Sequence, residues 1–285
     1  MGACDDRVAL VTGASRGIGR AIAQRLAAEG AAVVLVASRH GAHGALRGTL
    51  DDALQQIVSN GGRAAAIAAD LSDESQRVDL IARASQPFGP LDLLINNAAM
   101  GRWGLPSAVT LADRRKMLEV NLHAPVDLAQ QALPGMRARR RGWILNIGSE
   151  SARQPAVPYP DTPEAAHLIA AYGATKAALA RYTEGLAHEV SGDDVFVNCL
   201  APVSIVLTQE TVRFVGQIAR RRPDLCEPME VMVEAATELL TGRHVGRVVN
   251  SRELLHELAR AVRSLDGAQV LGDALMSADA GREIV

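Results

Sequence analysis

The chain has 285 residues, of which 48% are hydrophobic and 22% are charged, and this composition is typical of a globular protein with a substantial core. Its formal net charge of −2 gives no indication of a nucleic-acid partner. No apolar run reaches membrane-spanning length, and we expect no signal peptide. The three cysteines, Cys4, Cys199 and Cys226, fit no metal or disulfide spacing, so we expect a cytoplasmic protein without a metal site.

The first predicted elements are a strand, a glycine-rich turn and a helix. Residues 7–12 form a short apolar run that is typical of a buried strand, and the turn Gly13–Gly19 follows at once. Helical spacing then continues over 20–29. Gly17 and Gly19 allow the backbone to come close to a phosphate, to which the helix N-terminus offers N–H groups and partial positive charge. This order of elements predicts a dinucleotide-binding site.

The end of the second predicted strand, over 32–37, indicates which dinucleotide binds. An acidic residue at this point would bind the ribose 2′-hydroxyl group of NAD, but no acid occurs between this strand and Asp51. Arg39 stands there instead, and guanidinium groups suit phosphate. Arg39 could therefore pair with a 2′-phosphate on the ribose, and Arg16 in the glycine turn could contact the same phosphate. We therefore predict NADP as the cofactor, and NAD is the alternative if Arg39 is only a solvated loop residue.

The rest of the pattern alternates helices with strands. We predict helices over 50–60, 75–85 and 111–136, and strands over 63–69, 91–97, 143–149, 195–200 and 246–250. Strands that alternate with helices predict an α/β Rossmann fold, with one doubly wound, seven-stranded parallel sheet and helices on both faces. We expect a single domain over 1–285 with its core over 7–250. A substrate-side helical cap is expected over about 204–245, and a tail over 251–285 is expected to be helical over 253–263.

A tyrosine and a lysine four residues apart form the candidate catalytic pair. Tyr172 and Lys176 begin a helical run, and residues i and i+4 share one face of a helix, so the phenol and the ammonium group can meet. A nearby cation favours the phenolate and lowers the pKa of the tyrosine. The alternative is an ordinary pair on a helix surface. However, the chain has only two lysines, Lys116 and Lys176, which indicates a chemical requirement for a compact cation here.

Five motifs resemble, in the same order, those of the short-chain dehydrogenase/reductase family in its classical form. They are the turn Thr12–Gly19, the run Asn96–Ala99, the helical Glu119-Val120-Asn121, the strand-end Ser149 and the Tyr172–Lys176 pair. The resemblance covers about 7–250. It implies an NAD(P)-dependent oxidoreductase that interconverts an alcohol and a ketone or aldehyde by hydride transfer.

The resemblance also implies a role for each matching residue. Tyr172 exchanges a proton with the substrate oxygen, Ser149 donates a hydrogen bond to that oxygen, and Lys176 binds the nicotinamide ribose. Asn121 anchors a water chain that resupplies the proton, and Ser151 is the alternative serine. The expected cofactor contacts are Gly13, Ser15, Arg16, Gly17, Ile18, Gly19, Arg39, Asp70, Leu71, Asn97, Ala98, Ala99, Tyr172, Lys176 and Pro202.

The chain departs from the family pattern at three places. Ala99 and Val203 each stand where the family has glycine. The separation between Ser149 and Tyr172 is longer than in the family, and the excess is a proline-rich segment over 153–163. Because proline stiffens a loop, we expect this segment at the mouth of the pocket, where it influences which substrate enters.

Two other functions are compatible with the same sequence. One is a nucleotide-binding regulatory protein that keeps the fold without catalysis, and the other is a scaffold that assembles through its long helices. The complete set of Asn121, Ser149, Tyr172 and Lys176 favours an enzyme. We expect a small carbonyl or alcohol substrate, no nucleic-acid or membrane partner, and a homo-oligomer, either a dimer or a tetramer.

Overall fold

The strands form one large sheet and two small ones. The computed structural model describes residues 2–42, 47–153, 168–203, 205–208 and 226–276. The strands are β1 (Val8–Thr12), β2 (Ala32–Ala37), β3 (Arg63–Ala68), β4 (Leu93–Asn96), β5 (Gly142–Ile147), β6 (Val195–Ala201), β7 (Ile205–Val206), β8 (Cys226–Glu227), β9 (Val248–Asn250), β10 (Val262–Arg263) and β11 (Val270–Gly272). Seven of them form the large sheet in the order β3-β2-β1-β4-β5-β6-β9. Every neighbouring pair in this sheet is parallel.

The helices follow the strands along the chain. They are α1 (Gly17–Ala28), α2 (Leu50–Ser59), α3 (Glu74–Arg77), α4 (Leu80–Ser85), α5 (Leu111–Leu118), α6 (Ala124–Arg139), α7 (Ala170–Glu189), α8 (Met229–Thr241) and α9 (Ser251–Glu257). A π-helical turn (Glu119–His123) joins α5 to α6, and a 3₁₀ turn (Glu150–Arg153) follows β5.

The side chains of the central strands alternate between two apolar layers. In β1, Ala9 and Val11 face one layer and Val8 and Leu10 face the other, as the two-residue period of a strand requires. Helices α1, α2, α8 and α9 cover the first layer, while α4, α6 and α7 cover the second. The predicted doubly wound sheet, with seven parallel strands and helices on both faces, is therefore confirmed.

The helix predicted over 111–136 is interrupted by the π-helical turn. The N–H of Ala124 donates to the carbonyl of Glu119, five residues earlier. Pro125 supplies the physical reason, because it has no N–H to offer the carbonyl of Asn121 four residues before it. The regular helical ladder therefore cannot continue through Asn121.

Two other helices differ from the prediction in length. The helix expected over 75–85 is divided into α3 and α4. The helix expected over 253–263 ends at Glu257, because Ala259 has a φ of 48° and the N–H of Arg260 donates back to the carbonyl of Leu255. The chain then forms the antiparallel hairpin of β10 and β11.

Three predicted regions fall partly outside the described residues. Residues 154–163 of the proline-rich segment lie outside them, as do 204 and 209–225 of the expected cap and 277–285 of the expected tail. The described helix of that cap region, α8, is mostly buried and packs against α1 and β5, so it flanks the sheet. Among the described helices, none combines the length and the apolar composition that a bilayer crossing requires.

A chain of buried polar side chains crosses the second apolar layer. Asn96 at the end of β4 donates through Nδ2 to Oδ1 of Asn146 in β5, over 2.9 Å. Nδ2 of Asn146 donates to Oγ1 of Thr183 in α7, also over 2.9 Å, and Thr183 donates to the carbonyl of Leu179. All three polar side chains are buried. This series of hydrogen bonds therefore connects α7 directly to β4 and β5.

Candidate active site

The glycine turn is held against the end of β4 by one asparagine side chain. Asn97 donates through Nδ2 to the carbonyls of Thr12 and Gly13, over 2.9 and 3.2 Å. A Cβ atom on Gly19 would collide with that same amide and would lie 2.5 Å from the carbonyl oxygen of Gly13. Gly13 and Gly17 have φ values of 65° and 55°, which favour glycine. The close approach of Asn97 therefore explains the glycine at position 19.

The glycine turn leads into the N-terminus of α1, whose partial positive charge is not balanced by an acidic residue in the first helical turn. The N-cap residue of α1, Arg16, makes no side-chain capping hydrogen bond. Nη1 of Arg16 is buried without a hydrogen-bond partner, while Arg39 at the end of β2 is exposed. Ser15 and Ile18 lie in the same turn and are half-buried. An unpaired buried guanidinium nitrogen beside free helix N–H groups suits a phosphorylated ligand.

The predicted cofactor contacts Asp70 and Leu71 lie just after β3. Asp70 accepts hydrogen bonds from the N–H and the hydroxyl of Ser72, over 2.9 and 2.7 Å. Burial raises the pKa of the Asp70 carboxyl, but these two bonds outweigh it, so the pKa lies below its usual value. Leu71 is buried, and its carbonyl accepts from Nη1 of Arg77 over 2.8 Å. The segment is therefore fixed from inside the protein.

Ser149 lies two residues beyond β5 and close to the first turn of α7. Its Oγ is 2.8 Å from Oγ of Ser151 and accepts from the N–H of Ser151 over 3.2 Å. A Cβ atom on Gly173 would collide with the carbonyl oxygen of Ser151. Only a glycine at 173 therefore lets the serine turn pack against the helix turn that carries Tyr172. The structure therefore places both candidate serines, Ser149 and Ser151, beside the first turn of α7.

The candidate pair Tyr172 and Lys176 lies on one face of α7. The ammonium group of Lys176 is 5.7 Å from the centroid of the Tyr172 ring. Nζ of Lys176 also donates to the carbonyl of Ile147, the last residue of β5, over 2.7 Å. Lys176 is 1% exposed, and this burial lowers its pKa from 10.5 to about 8. The lysine is therefore a buried cation that joins the helix to the strand of Ser149.

Asn121 connects the π-helical turn to the same part of α7. Its Oδ1 accepts from the N–H of Met100, and its Nδ2 donates to the carbonyl of Met100, each over 2.8 Å. Nδ2 also donates to Oγ1 of Thr175 over 2.9 Å, and Thr175 donates to the carbonyl of Tyr172 over 2.7 Å. The buried amide of Asn121 therefore reaches the Tyr172 turn through one intervening side chain.

A cavity of about 230 Å³ adjoins Ser149 and Lys176 on the side of β6 and β9. Its other lining residues include Glu150, Arg153 and Cys199. Burial raises the pKa of the Glu150 carboxyl and raises that of the Cys199 thiol to about 11. Within the ranges that the structure describes, no three His, Cys, Asp or Glu side chains are grouped closely enough to hold a metal ion.

The remaining predicted contacts line the same edge of the sheet. The N–H of Ala98 donates to Oγ1 of Thr12 over 3.0 Å, and Ala99 is exposed. Pro202 is half-buried just after β6. A Cβ atom on Gly17 would lie 3.3 Å from Cγ2 of Thr208, so the chain beyond β7 passes over the glycine turn.

Glu227 is a buried acid beside this edge that the sequence analysis missed. It is 1% exposed and accepts from the N–H of Val203 over 3.1 Å and from the hydroxyl of Ser251 over 2.7 Å. Burial raises its pKa from 4.5 to about 7, although the two hydrogen bonds and nearby Arg252 oppose the rise. No local spacing marks it, because its partners are distant in the sequence.

The glycine turn, the serine turn and the first turns of α7 lie together at the carboxyl ends of the central strands. A buried cation, a tyrosine hydroxyl and a serine hydroxyl lie around the first turns of α7, beside a turn suited to phosphate. Such a group can hold a phosphorylated cofactor, donate hydrogen bonds to a developing oxyanion and move a proton to or from it.

Comparison with known proteins gives a consistent match. A family model described as short chain dehydrogenase matches residues 7–215. A short chain dehydrogenase of Pseudocercospora fijiensis is 31% identical over 72% of this chain and 62% of its own length. The ketoacyl reductase HetN of a Nostoc species is 32% identical over 72% of this chain and 66% of its own length. The chain thus spans less than two thirds of the length of these curated relatives.

Solved structures share the fold. A 3-oxoacyl (acyl-carrier-protein) reductase of Agrobacterium tumefaciens with NADP bound matches with a TM-score of 0.73 and 34% identity, over 87% of this chain and 93% of that one. A metagenomic short-chain oxidoreductase in complex with NADP matches with a TM-score of 0.69 and 29% identity, over 87% and 98% of the two chains.

Proposed function

The chain belongs to the short-chain dehydrogenase family, and from this premise we propose that it is an NADP-dependent oxidoreductase that interconverts an alcohol and a ketone or aldehyde. One observation carries the proposal: the first turns of α7 bear Tyr172 and Lys176 and contact both the serine turn and the buried amide of Asn121. The names of two similar proteins, a ketoacyl reductase and a 3-oxoacyl reductase, support a carbonyl substrate.

The residues of the glycine turn fit NADP. The uncapped N-terminus of α1 suits the pyrophosphate, and the buried, unpaired Nη1 of Arg16 suits a phosphate on the adenosine ribose. Exposed Arg39 at the end of β2 adds a second guanidinium group, and no acid precedes Asp51 in that loop. Asp70 and Leu71 would contact the adenine side, while Ala98, Ala99 and Pro202 would line the path toward the nicotinamide. When bound, the nicotinamide supplies or accepts the hydride.

The protein's own residues handle the substrate oxygen and its proton. In reduction, the Tyr172 hydroxyl gives its proton to the oxygen of the former carbonyl, and Ser149 donates a hydrogen bond to that oxygen. The Lys176 ammonium group favours the phenolate that remains on Tyr172. Asn121 anchors the water chain that returns the proton, and its backbone carbonyl is suited to this because Pro125 removes its helical donor.

We propose a single domain that acts in the cytoplasm on a small-molecule substrate and assembles as a homo-oligomer, a dimer or a tetramer. Buried, high-pKa thiols at Cys4 and Cys199 suit a reducing compartment.

A substitution of the tyrosine tests the catalytic assignment. We expect Tyr172→Phe to lower kcat at least about a hundredfold, because the general acid is removed. The dissociation constant for NADPH should stay within about twofold, because the phenyl ring remains. Turnover is measured as NADPH oxidation on a panel of ketones and aldehydes, and binding is measured by NADPH fluorescence, with NADH as the comparison cofactor.

Tyr182 provides the matched control, since it lies on the same helix and Tyr182→Phe removes the same hydroxyl group away from the serine turn. That variant should keep the wild-type kcat. Near-normal turnover by Tyr172→Phe would refute the assignment. If the wild-type protein binds NADPH but turns over no compound of a broad panel, it is a nucleotide-binding regulatory protein instead.

A further inference from the structure

A single guanidinium group connects three elements beside the candidate active site. Arg77 in α3 donates through Nη1 to the carbonyl of Leu71 over 2.8 Å. Its Nε donates to Oδ2 of Asp127 over 2.6 Å, and its Nη2 donates to Oε2 of Glu119 over 2.7 Å. We call Arg77 with these three partners the Arg77 cluster. Each of the three guanidinium nitrogens donates one hydrogen bond, and the single ammonium nitrogen of a lysine could not reproduce this geometry.

One carboxylate of the Arg77 cluster belongs to the π-helical turn, and the other belongs to the helix that follows the turn. Glu119 is the first residue of that turn, and Asp127 lies in the first turn of α6. A π-helical turn is a rare backbone form, and it persists only where surrounding contacts hold it. Gln131 adds a further link from α6, because its Nε2 donates to the carbonyl of Arg77 over 3.0 Å. The position of the turn therefore depends on α3.

Asn121 is in the middle of the turn that these contacts hold. Its amide makes its three hydrogen bonds within 2.9 Å, to Met100 and Thr175, so a small shift of the turn would break them. The opposite arm of the cluster ends on Leu71, in the segment suited to the adenine side of the cofactor. One side chain thus joins the nucleotide segment to the asparagine turn.

We propose that Arg77 is a positioning residue that couples the segment Asp70–Leu71 to Asn121, so that the fixed nucleotide segment sets the place of the asparagine amide. This inference rests on the proposed function for its consequence in turnover, but the coupling itself is a property of the protein without cofactor. Arg77 is 4% exposed, whereas Glu119 and Asp127 are 38% and 35% exposed. Each carboxylate can therefore be solvated when the arginine is changed, and the variants should still fold.

The Arg25 cluster offers a matched control. Arg25 in α1 donates through Nε to Glu29 over 2.8 Å, through Nη2 to Glu234 over 2.9 Å and through Nη1 to the carbonyl of Ser264 over 3.2 Å. It has the same three arms, two carboxylates and one main-chain carbonyl, but its partners lie just after α1, in α8 and between β10 and β11. Arg25→Lys therefore removes the same geometry away from Asn121.

Hydrogen–deuterium exchange tests the coupling without any cofactor. In Arg77→Lys we expect the amides of 119–124 to exchange about tenfold faster or more than in the wild type, because the turn opens locally. In Arg25→Lys, compared at equal global stability, these amides should exchange at the wild-type rate. Unchanged exchange in Arg77→Lys would overturn the proposal, whatever the protein proves to do. If Arg77→Lys does not fold, Glu119→Ala and Asp127→Ala each remove one arm and should give the same local result.

A double-mutant cycle tests the consequence for turnover. We expect Arg77→Lys to lower kcat by about tenfold to a hundredfold through misplacement of the amide, with a smaller change in KM for the carbonyl substrate. In an Asn121→Ala background the same change should cost less than about threefold, because its effect passes through Asn121. Additive losses would contradict the positioning role. A wild-type protein without turnover would refute the proposed function and leave the exchange result to decide the coupling.

Discussion

The Arg77 cluster and the Arg25 cluster are built from the same parts and lie on opposite layers of the sheet. In each, one buried guanidinium group holds two carboxylates and one carbonyl. They differ in the solvation of their acids, since Glu234 is 0% exposed and Glu119 is 38% exposed. A buried carboxylate cannot turn to water when its partner is lost. The same geometry therefore stabilises the fold in one place and positions a turn in the other.

The largest effect on stability should come from Arg25→Met. We expect the free energy of unfolding to fall by about 3–5 kcal/mol, because Glu234 would remain buried and charged without its main partner. Urea denaturation measures the loss. The double variant Arg25→Met with Glu234→Gln serves as the control and should recover part of it, because the buried charge is then gone. A loss no larger than that of Arg77→Met would remove the distinction between the clusters.

A change at Glu227 should give a smaller effect that depends on pH. Glu227 is a buried carboxyl like Glu234, but hydroxyl and N–H groups hold it in place of a guanidinium group. Its pKa is raised to about 7 in the folded protein, so its stabilising contribution is complete below pH 4.5 and is lost as pH rises through 7. From pH 5 to pH 8 the wild type should lose about 3 kcal/mol through this group.

Glu227→Gln can keep both hydrogen bonds and removes the titration. We expect its unfolding free energy to vary less with pH over that range and to exceed that of the wild type at pH 8. Urea denaturation at a series of pH values measures both. Parallel pH profiles for the two proteins would show that the carboxyl is already ionised at pH 5.

The smallest effect should come from Arg260→Met. Arg260 contacts Glu234 and Glu238 over 3.1 Å but is 42% exposed, so water screens it. We expect a loss of about 0–1 kcal/mol, which should shrink further in 1 M salt. The same urea measurement at low and high salt checks this. A loss as large as that of Arg25→Met would mean that the outer arginine, and not the inner one, compensates Glu234.

The sheet could be predicted, and the residues of the candidate site could be selected, because their signals in the sequence are local. Continuous apolar runs identify the parallel strands, and the glycine turn follows its strand directly. Helical spacing places Tyr172 and Lys176 on one face, and the scarcity of lysine together with the family resemblance selected the pair as catalytic. The family resemblance added Asn121 and Ser149, which are also marked by their immediate neighbours.

The clusters could not be predicted because their partners are distant along the chain. Arg25 and Glu234 are separated by 209 positions, and Arg77 and Asp127 by 50. Strands as short as β10 and β11 have no visible period. The π-helical turn had one local signal, Pro125 inside a predicted helix, which the helical periodicity over 111–136 outweighed.

The buried chain of Asn96, Asn146 and Thr183 has a consequence for the uniqueness of the packing. An apolar helix face on an apolar sheet can rotate about its own axis at little cost, because one methyl contact replaces another. A rotation of α7 would leave the Asn146 amide without an acceptor in a dry interior, which is costly. The amide therefore selects a single angular setting of the helix, the one in which Lys176 meets the end of β5. Buried polar groups between α7 and the sheet thus determine the direction in which Tyr172 faces.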